Sequence, residues 1–262
     1  MFSAIRRLLC LVTLMSAVLP VIAHAQSADA RRAKADELLA VHKWRTTLAL
    51  GNRYLKQQSL MAVRSELARL GREGNLGKAW RPGNAQWDAA EASMAAPLLE
   101  TVQREWTSLE WLPPEWAEMT SRSFTDAEMD ALVTHFRTEV GAKQARIIEQ
   151  SVAFHVGGAL TMSGKLIQDF PGTAEEQRTL TYVYAEEEKA MRFSVASNDN
   201  AEGQQFALSD LGAKYQKTLM IKMTGILNAR MDAVAATLPV QARAAAGAAD
   251  PMIKAFRAAN PG

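Results

Sequence analysis

Cysteine is almost missing from this chain: Cys10 is the only one among 262 residues. It falls in a leading segment expected to be removed, which would leave the mature chain without a disulfide, a thiol nucleophile or a thiolate metal site. An excess of one charge is missing too. Removing residues 1–25 takes away two arginines and no acid, so 28 basic side chains face 28 acidic ones. A chain so balanced has no global positive field to recruit nucleic acid or anionic lipid. The apolar run from Leu8 to Ile22 is interrupted by Pro20 and falls short of the roughly 20 apolar residues of a membrane span; no stop-transfer pattern follows it. Strand-like alternation is scarce, and the Gly-x-Ser-x-Gly turn of serine hydrolases does not occur.

What is present begins with an export signal. Arg6 and Arg7 give a positive start, the apolar run follows, and Ala23-His24-Ala25 supplies small residues before a cut. The pattern predicts cleavage between Ala25 and Gln26 and a periplasmic or secreted protein. Cys10 sits at the start of the apolar run, before Leu11 to Ile22, whereas a lipidated cysteine would follow the run, and Ile5 and Leu8-Leu9 around the arginine pair match a twin-arginine signal poorly.

Apolar residues then recur at helical spacing, predicting an all-α, bundle-like domain of about seven helices over residues 26–239. A subdivision is possible near 112–123, and an alanine-rich tail covers 240–262. Leu38, Val41, Trp44 and Leu48 mark an early helix that Gly51-Asn52 is expected to end. Leu60, Val63, Leu67 and Leu70 mark the next, and residues 71–84, with four glycines and Pro82, read as a loop. A third helix after Asn84 is disturbed at Pro97 and ended by Pro113-Pro114. Thr125 and Glu128 form a capping box, and Phe124 and Met129 a hydrophobic staple. Beyond Gly141 a seam of Ile148, Val152, His155, Ala159, Met162 and Leu166 follows. Pro171-Gly172 stops it, and Thr173 and Glu176 cap a helix through Leu180, Tyr184 and Met191. A last helix from about Ser209 is ended by Pro239. No repeat stands out.

The run Phe124-Thr125-Asp126-Ala127-Glu128-Met129-Asp130-Ala131-Leu132, continued by Phe136, Arg137, Thr138, Gly141 and Lys143, resembles the signature of an exported bacterial family, domain of unknown function 2059. The resemblance covers residues 124–170 and implies a signal peptide and a small all-helical domain. It departs from the family at Glu139-Val140-Gly141, where proline often precedes the small residue and glycine. It implies no catalytic residues.

Several features invite a chemical reading. Gly157-Gly158-Ala159-Leu160-Thr161-Met162-Ser163-Gly164-Lys165 resembles a phosphate-binding loop but has the wrong spacing, with Leu166 where a hydroxyl is needed. His155 sits on the seam near Gly157-Gly158 and Ser163, without an assignable acid, and reads as a buried, hydrogen-bonded histidine. His135 and Glu139 could share a proton or a metal, though one pair is too few for a site and a surface ion pair is the ordinary role of that spacing. Five tryptophans, Trp80, Trp87, Trp106, Trp111 and Trp116, crowd one region. They are candidates for a platform binding a glycan, peptide or lipid-like ligand, or an envelope protein, with burial as the ordinary role of such rings. Glu100, Glu105, Glu110, Glu115 and Glu118 interleave with them and disfavour nucleic acid. Met220, Met223 and Met231 could hold copper(I) or fill core, and Glu186-Glu187-Glu188 reads as solvated surface. No cofactor is expected. The expectation is a non-enzymatic binding or envelope-interaction protein, with an envelope hydrolase and a copper-handling protein as alternatives.

Overall fold

A computed structural model of the chain describes residues 29–162 and 201–260. The predicted signal peptide and its Ala25–Gln26 cut lie outside the described residues. So do Ser163 to Lys165, Leu166, the Pro171-Gly172 stop, the Thr173–Glu176 cap, the helix through Met191 and Glu186-Glu187-Glu188. Among the described residues no strand occurs, so the protein is all-α, and none of their helices is long and apolar enough to cross a membrane.

Helix α1 covers residues 29–41, and after a three-residue break α2 runs from Arg45 to Glu73. Helix α3 (Ala85–Val102) continues into a π-helical turn, Gln103–Thr107, and is followed by α4 (Leu112–Ser123), α5 (Asp126–Phe136) and α6 (Glu139–Met162). In the second described stretch, α7 (Ala201–Leu208) precedes α8 (Asp210–Thr218). A second π-helical turn, Leu219–Met223, joins α8 to α9 (Thr224–Ala244). A 3-10 turn, Ala245–Ala249, leads to α10 (Asp250–Ala259).

Helix α2 is the spine, packed against α3, α6 and α9. With neighbours on several sides it has no single apolar stripe, and it buries Thr47, Gln57, Ser59 and Glu66 along with Leu55, Val63 and Leu67. Two of these polar groups are satisfied within the helix: Ser59 donates to the Leu55 carbonyl, and Glu66 accepts from Arg69.

The predicted break at Gly51-Asn52 does not form; the break falls at His42–Trp44. Gly51 serves another purpose: the Trp106 indole covers it, with Cζ2 only 2.2 Å from where a Cβ would stand. Gly71 lies under Trp80 in the same way, its missing Cβ 2.5 Å from Cδ1. Pro97 and Pro239 sit inside continuing helices, whereas Pro113 and Pro114 lie in the first turn of α4, where their lost N–H groups need no partner. Residues 112–123 bury Leu112, Trp116 and Met119 in the common core.

One tight corner is built twice. At the α5–α6 junction Thr138 Oγ1 donates to the His135 carbonyl and accepts from Gly141 N–H. At the α7–α8 junction Ser209 Oγ donates to the Phe206 carbonyl and accepts from Gly212 N–H. Each corner needs its glycine, because a Cβ would fall 2.1 Å from the His135 oxygen or 1.9 Å from the Phe206 oxygen. So Thr138-Glu139-Val140-Gly141 and Ser209-Asp210-Leu211-Gly212 are equivalent. The helical stretches that follow bury matching positions, Ile148, Val152, Val156 and Leu160 along α6, and Leu219, Met223, Leu227 and Met231 along the second π-helical turn and α9. The two corners meet where His135 stacks on Phe206, 3.6 Å between centroids and 8° between planes. The break between α5 and α6 falls at Arg137-Thr138, and Gly141 lies in the first turn of α6.

Candidate functional site

The break between α1 and α2 carries the one acid–histidine–hydroxyl constellation among the described residues. Trp44, the residue before α2, is in the left-handed region (φ 50°) and its side chain caps nothing. That conformation costs a non-glycine residue about 1–2 kcal/mol. The missing cap comes from α6: Glu149 accepts from Lys43 N–H at 2.7 Å, Trp44 N–H at 3.2 Å and His42 Nδ1 at 3.2 Å. A carboxylate at this point also faces the positive end of a 29-residue helix.

Because a carboxylate can only accept, Nδ1 of His42 carries a hydrogen. In the neutral ring Nε2 is then the acceptor, and Tyr215 O–H of α8 donates to it at 2.7 Å. The ring of His42 is enclosed by Trp44, Trp116, Phe136 and Tyr215 at centroid distances of 5.1 to 6.1 Å. Burial pushes the Tyr215 phenol well above its ordinary pKa, and the charge of Glu149 adds to the rise, so the hydroxyl stays protonated as the donor.

Glu149, His42 and Tyr215 thus repeat the logic of a catalytic relay, in which an acid orients an imidazole that holds a hydroxyl. They lack access. The His42 side chain is 0 % exposed, that of Glu149 13 %, and Tyr215 is wholly buried. The arrangement ties α1, α2, α6 and α8 together and presents no nucleophile to solvent.

The five tryptophans do not form one platform. Trp80 and Trp87 meet edge to face at 5.4 Å, with Phe256 of α10 against Trp80 at 5.2 Å. Trp106 stacks with Trp111 at 5.4 Å, and Trp116 joins Trp44 around His42 at 6.0 Å. Trp80, Trp87, Trp106 and Trp116 are buried; Trp111 is half-buried, with the Arg230 guanidinium 5.7 Å from its ring centre. Every one of the five indole N–H groups is engaged. Trp80 donates to the Leu67 carbonyl, Trp106 to Leu48, Trp111 to Trp106, Trp116 to Ala35, and Trp87 to the Glu91 carboxylate. The sixth, Trp44, has a buried N–H with no partner, as does the Thr47 hydroxyl one turn on.

His155 is exposed, its Nδ1 2.8 Å from the Ser151 carbonyl. The buried seam of α6 steps from Val152 to Val156 and Leu160 instead. His135 and Glu139 are not paired. His135 Nε2 lies 2.5 Å from Gln144 Oε1 across the corner, and Glu139 pairs with Lys143 at 2.8 Å within α6. Met223 and Met231 are wholly buried and Met220 packs against the same core, as filler does. No group of three or more His, Cys, Asp or Glu side chains that could hold a metal ion occurs among the described residues.

The sequence offered no local signal for the constellation. His42 is 107 residues from Glu149 and 173 from Tyr215, and the helical spacing of Leu38, Val41, Trp44 and Leu48 runs straight through it. Comparison of the chain with protein-family models, with curated proteins and with solved structures finds no match.

Proposed function

We propose that this chain is exported to the cell envelope, loses residues 1–25 there, and works as a non-catalytic helical body whose role is binding or scaffolding. The export half rests on the leading sequence: a positive start, an apolar run and Ala23-His24-Ala25. The binding half rests on one observation. The acid–histidine–hydroxyl constellation is sealed in the core and engaged in holding helices together, so the groups best suited to acyl-transfer chemistry cannot meet a substrate.

The test follows the protein through the cell and then asks what it does. Expressed with its own leader in a Gram-negative host, it should be recovered from the periplasmic fraction with Gln26 as its first residue. The purified mature protein should co-sediment with peptidoglycan sacculi. It should release no product from panels of ester, glycoside and peptide substrates. Turnover above background that disappears in His155→Ala or Glu149→Ala, with the helical content retained, would replace this reading with an envelope hydrolase. Tight copper(I) binding lost on changing Met220 and Met223 would replace it with metal handling.

A further inference from the structure

Tyr215 is a wholly buried hydroxyl held by a base, and the binding role leaves it unused. Its ring packs against Phe136 at 4.9 Å and Phe124 at 5.8 Å, and its O–H points at His42 Nε2. Loss of one electron turns a phenol into a strong acid. In an apolar interior the oxidised phenol would otherwise have to carry an unpaired positive charge, which is costly. Here a base stands at hydrogen-bond distance, and a carboxylate stands on the far side of that base to balance the charge it would acquire.

The step balances. The Tyr215 O–H bond breaks and a bond from its hydrogen to His42 Nε2 forms, while one electron passes to an outer-sphere one-electron oxidant, which is reduced. What remains is a neutral tyrosyl radical beside an imidazolium whose Nδ1–H faces Glu149. A reductant reverses the step by returning the electron as the proton goes back. Trp44 and Trp116 supply a route for the electron, since both indoles lie against the His42 ring and 6.0 Å from each other.

We propose that Tyr215 is a redox-active tyrosine, the place where oxidising equivalents that enter the aromatic core come to rest, with His42 as the proton acceptor and Glu149 as the positioning residue. The raised phenol pKa fits this, because it rules out a preformed phenolate as the electron source near neutral pH and makes electron and proton leave together. The inference does not depend on the binding role.

The experiment oxidises the mature protein with a photogenerated ruthenium(III) tris-bipyridine complex and reads the radical by electron paramagnetic resonance and transient absorption. A tyrosyl signal is expected in the wild type, lost in Tyr215→Phe and kept in Tyr54→Phe, with its formation slowed in D2O. Tyr215→Phe removes one oxygen and keeps the ring, and circular dichroism checks its fold. The D2O measurement needs no variant. A tyrosyl signal that survives Tyr215→Phe, a wild type that yields tryptophan radicals alone, or a rate unchanged in D2O would overturn the proposal.

Discussion

Gly51 shows how far a single hydrogen atom can decide packing in this core. Alanine is favoured over glycine inside a helix by about 1 kcal/mol, and α2 continues through this position without a break. Yet a Cβ there would stand 2.2 Å from Trp106 Cζ2 and 2.5 Å from Cε2. The ring has little room to retreat, because its N–H is bonded to the Leu48 carbonyl at 3.1 Å and its neighbour Trp111 is stacked on it. Overpacking of this kind costs about 1–3 kcal/mol and here also loosens a buried hydrogen bond worth about 1 kcal/mol. Gly51→Ala is therefore expected to lower stability by about 2 kcal/mol net, measured as a shift of the urea midpoint with unchanged slope. A stabilised variant would show that the indole moves aside freely. The residue types were visible in the sequence but not their use: glycine reads as a helix breaker by its backbone freedom, and only the partner ring shows that its missing side chain is what the fold requires. Tryptophans were readable as a group, and the chain distributes them to three separate contacts, two of them over glycines of α2.

At the scale of an element, legibility follows sequence distance. The capping box of α5 involves groups within four residues and forms as its spacing predicts: Glu128 N–H donates to Thr125 Oγ1, and Thr125 N–H to the Glu128 carboxylate at 2.7 Å. The structure adds a tie that spacing could not show, Lys214 of α8 at 2.7 Å from the same carboxylate. The Lys214 bond first, and the Thr125 N–H second, hold the Glu128 carboxyl below its ordinary pKa. A carboxyl depressed in the folded state contributes in full above its unfolded-state pKa and loses that contribution as pH falls through the folded value. Glu128→Gln keeps an acceptor for the Thr125 N–H and loses the charge, so it should be less stable than wild type at neutral pH by about 0.2–1 kcal/mol, as expected for a partly exposed pair. The gap should close on acidification through and below the ordinary carboxylate range, followed as thermal midpoints across pH. A gap that persists in acid would mean that the carboxylate charge contributes nothing. The α6 seam shows the opposite limit, because both Val152 to His155 and Val152 to Val156 are allowed helical steps and only the neighbouring helices choose between them. The twice-built corner escaped notice for a related reason: two four-residue motifs that share only their glycine and similar chemistry are too short to stand out as a repeat.

Over the whole molecule, the all-α class was readable because helical apolar spacing persists nearly throughout, but closure of the body was not. The two ends of the described chain are fastened by contacts between residues distant in sequence. Trp116 donates to the Ala35 carbonyl of α1 at 2.8 Å, and Lys34 reaches Asp130 of α5 at 2.6 Å. At the other end the alanine-rich tail forms α10, which buries Phe256 against Trp80 while Arg257 donates to the Gly74 carbonyl at 3.1 Å. Its apolar content is sparse, so one ring carries most of the docking; sequence composition understates such a helix because it counts residues and not their alignment on one face. If α10 is an integral part of the core, removing that ring weakens the entire fold. If it is a docked appendage, only the tail is released. Phe256→Ala is expected to cost about 3 kcal/mol through the lost burial and the cavity left beside Trp80. Urea unfolding followed by far-ultraviolet circular dichroism and by tryptophan emission should then shift together and remain coincident, as a single cooperative unit requires. Should emission change at low urea while helical signal holds to the wild-type midpoint, α10 unfolds alone. The Trp80–Trp87 contact would then be a covered surface rather than core, and the tryptophans would regain their claim to be a binding platform, opened when the tail leaves.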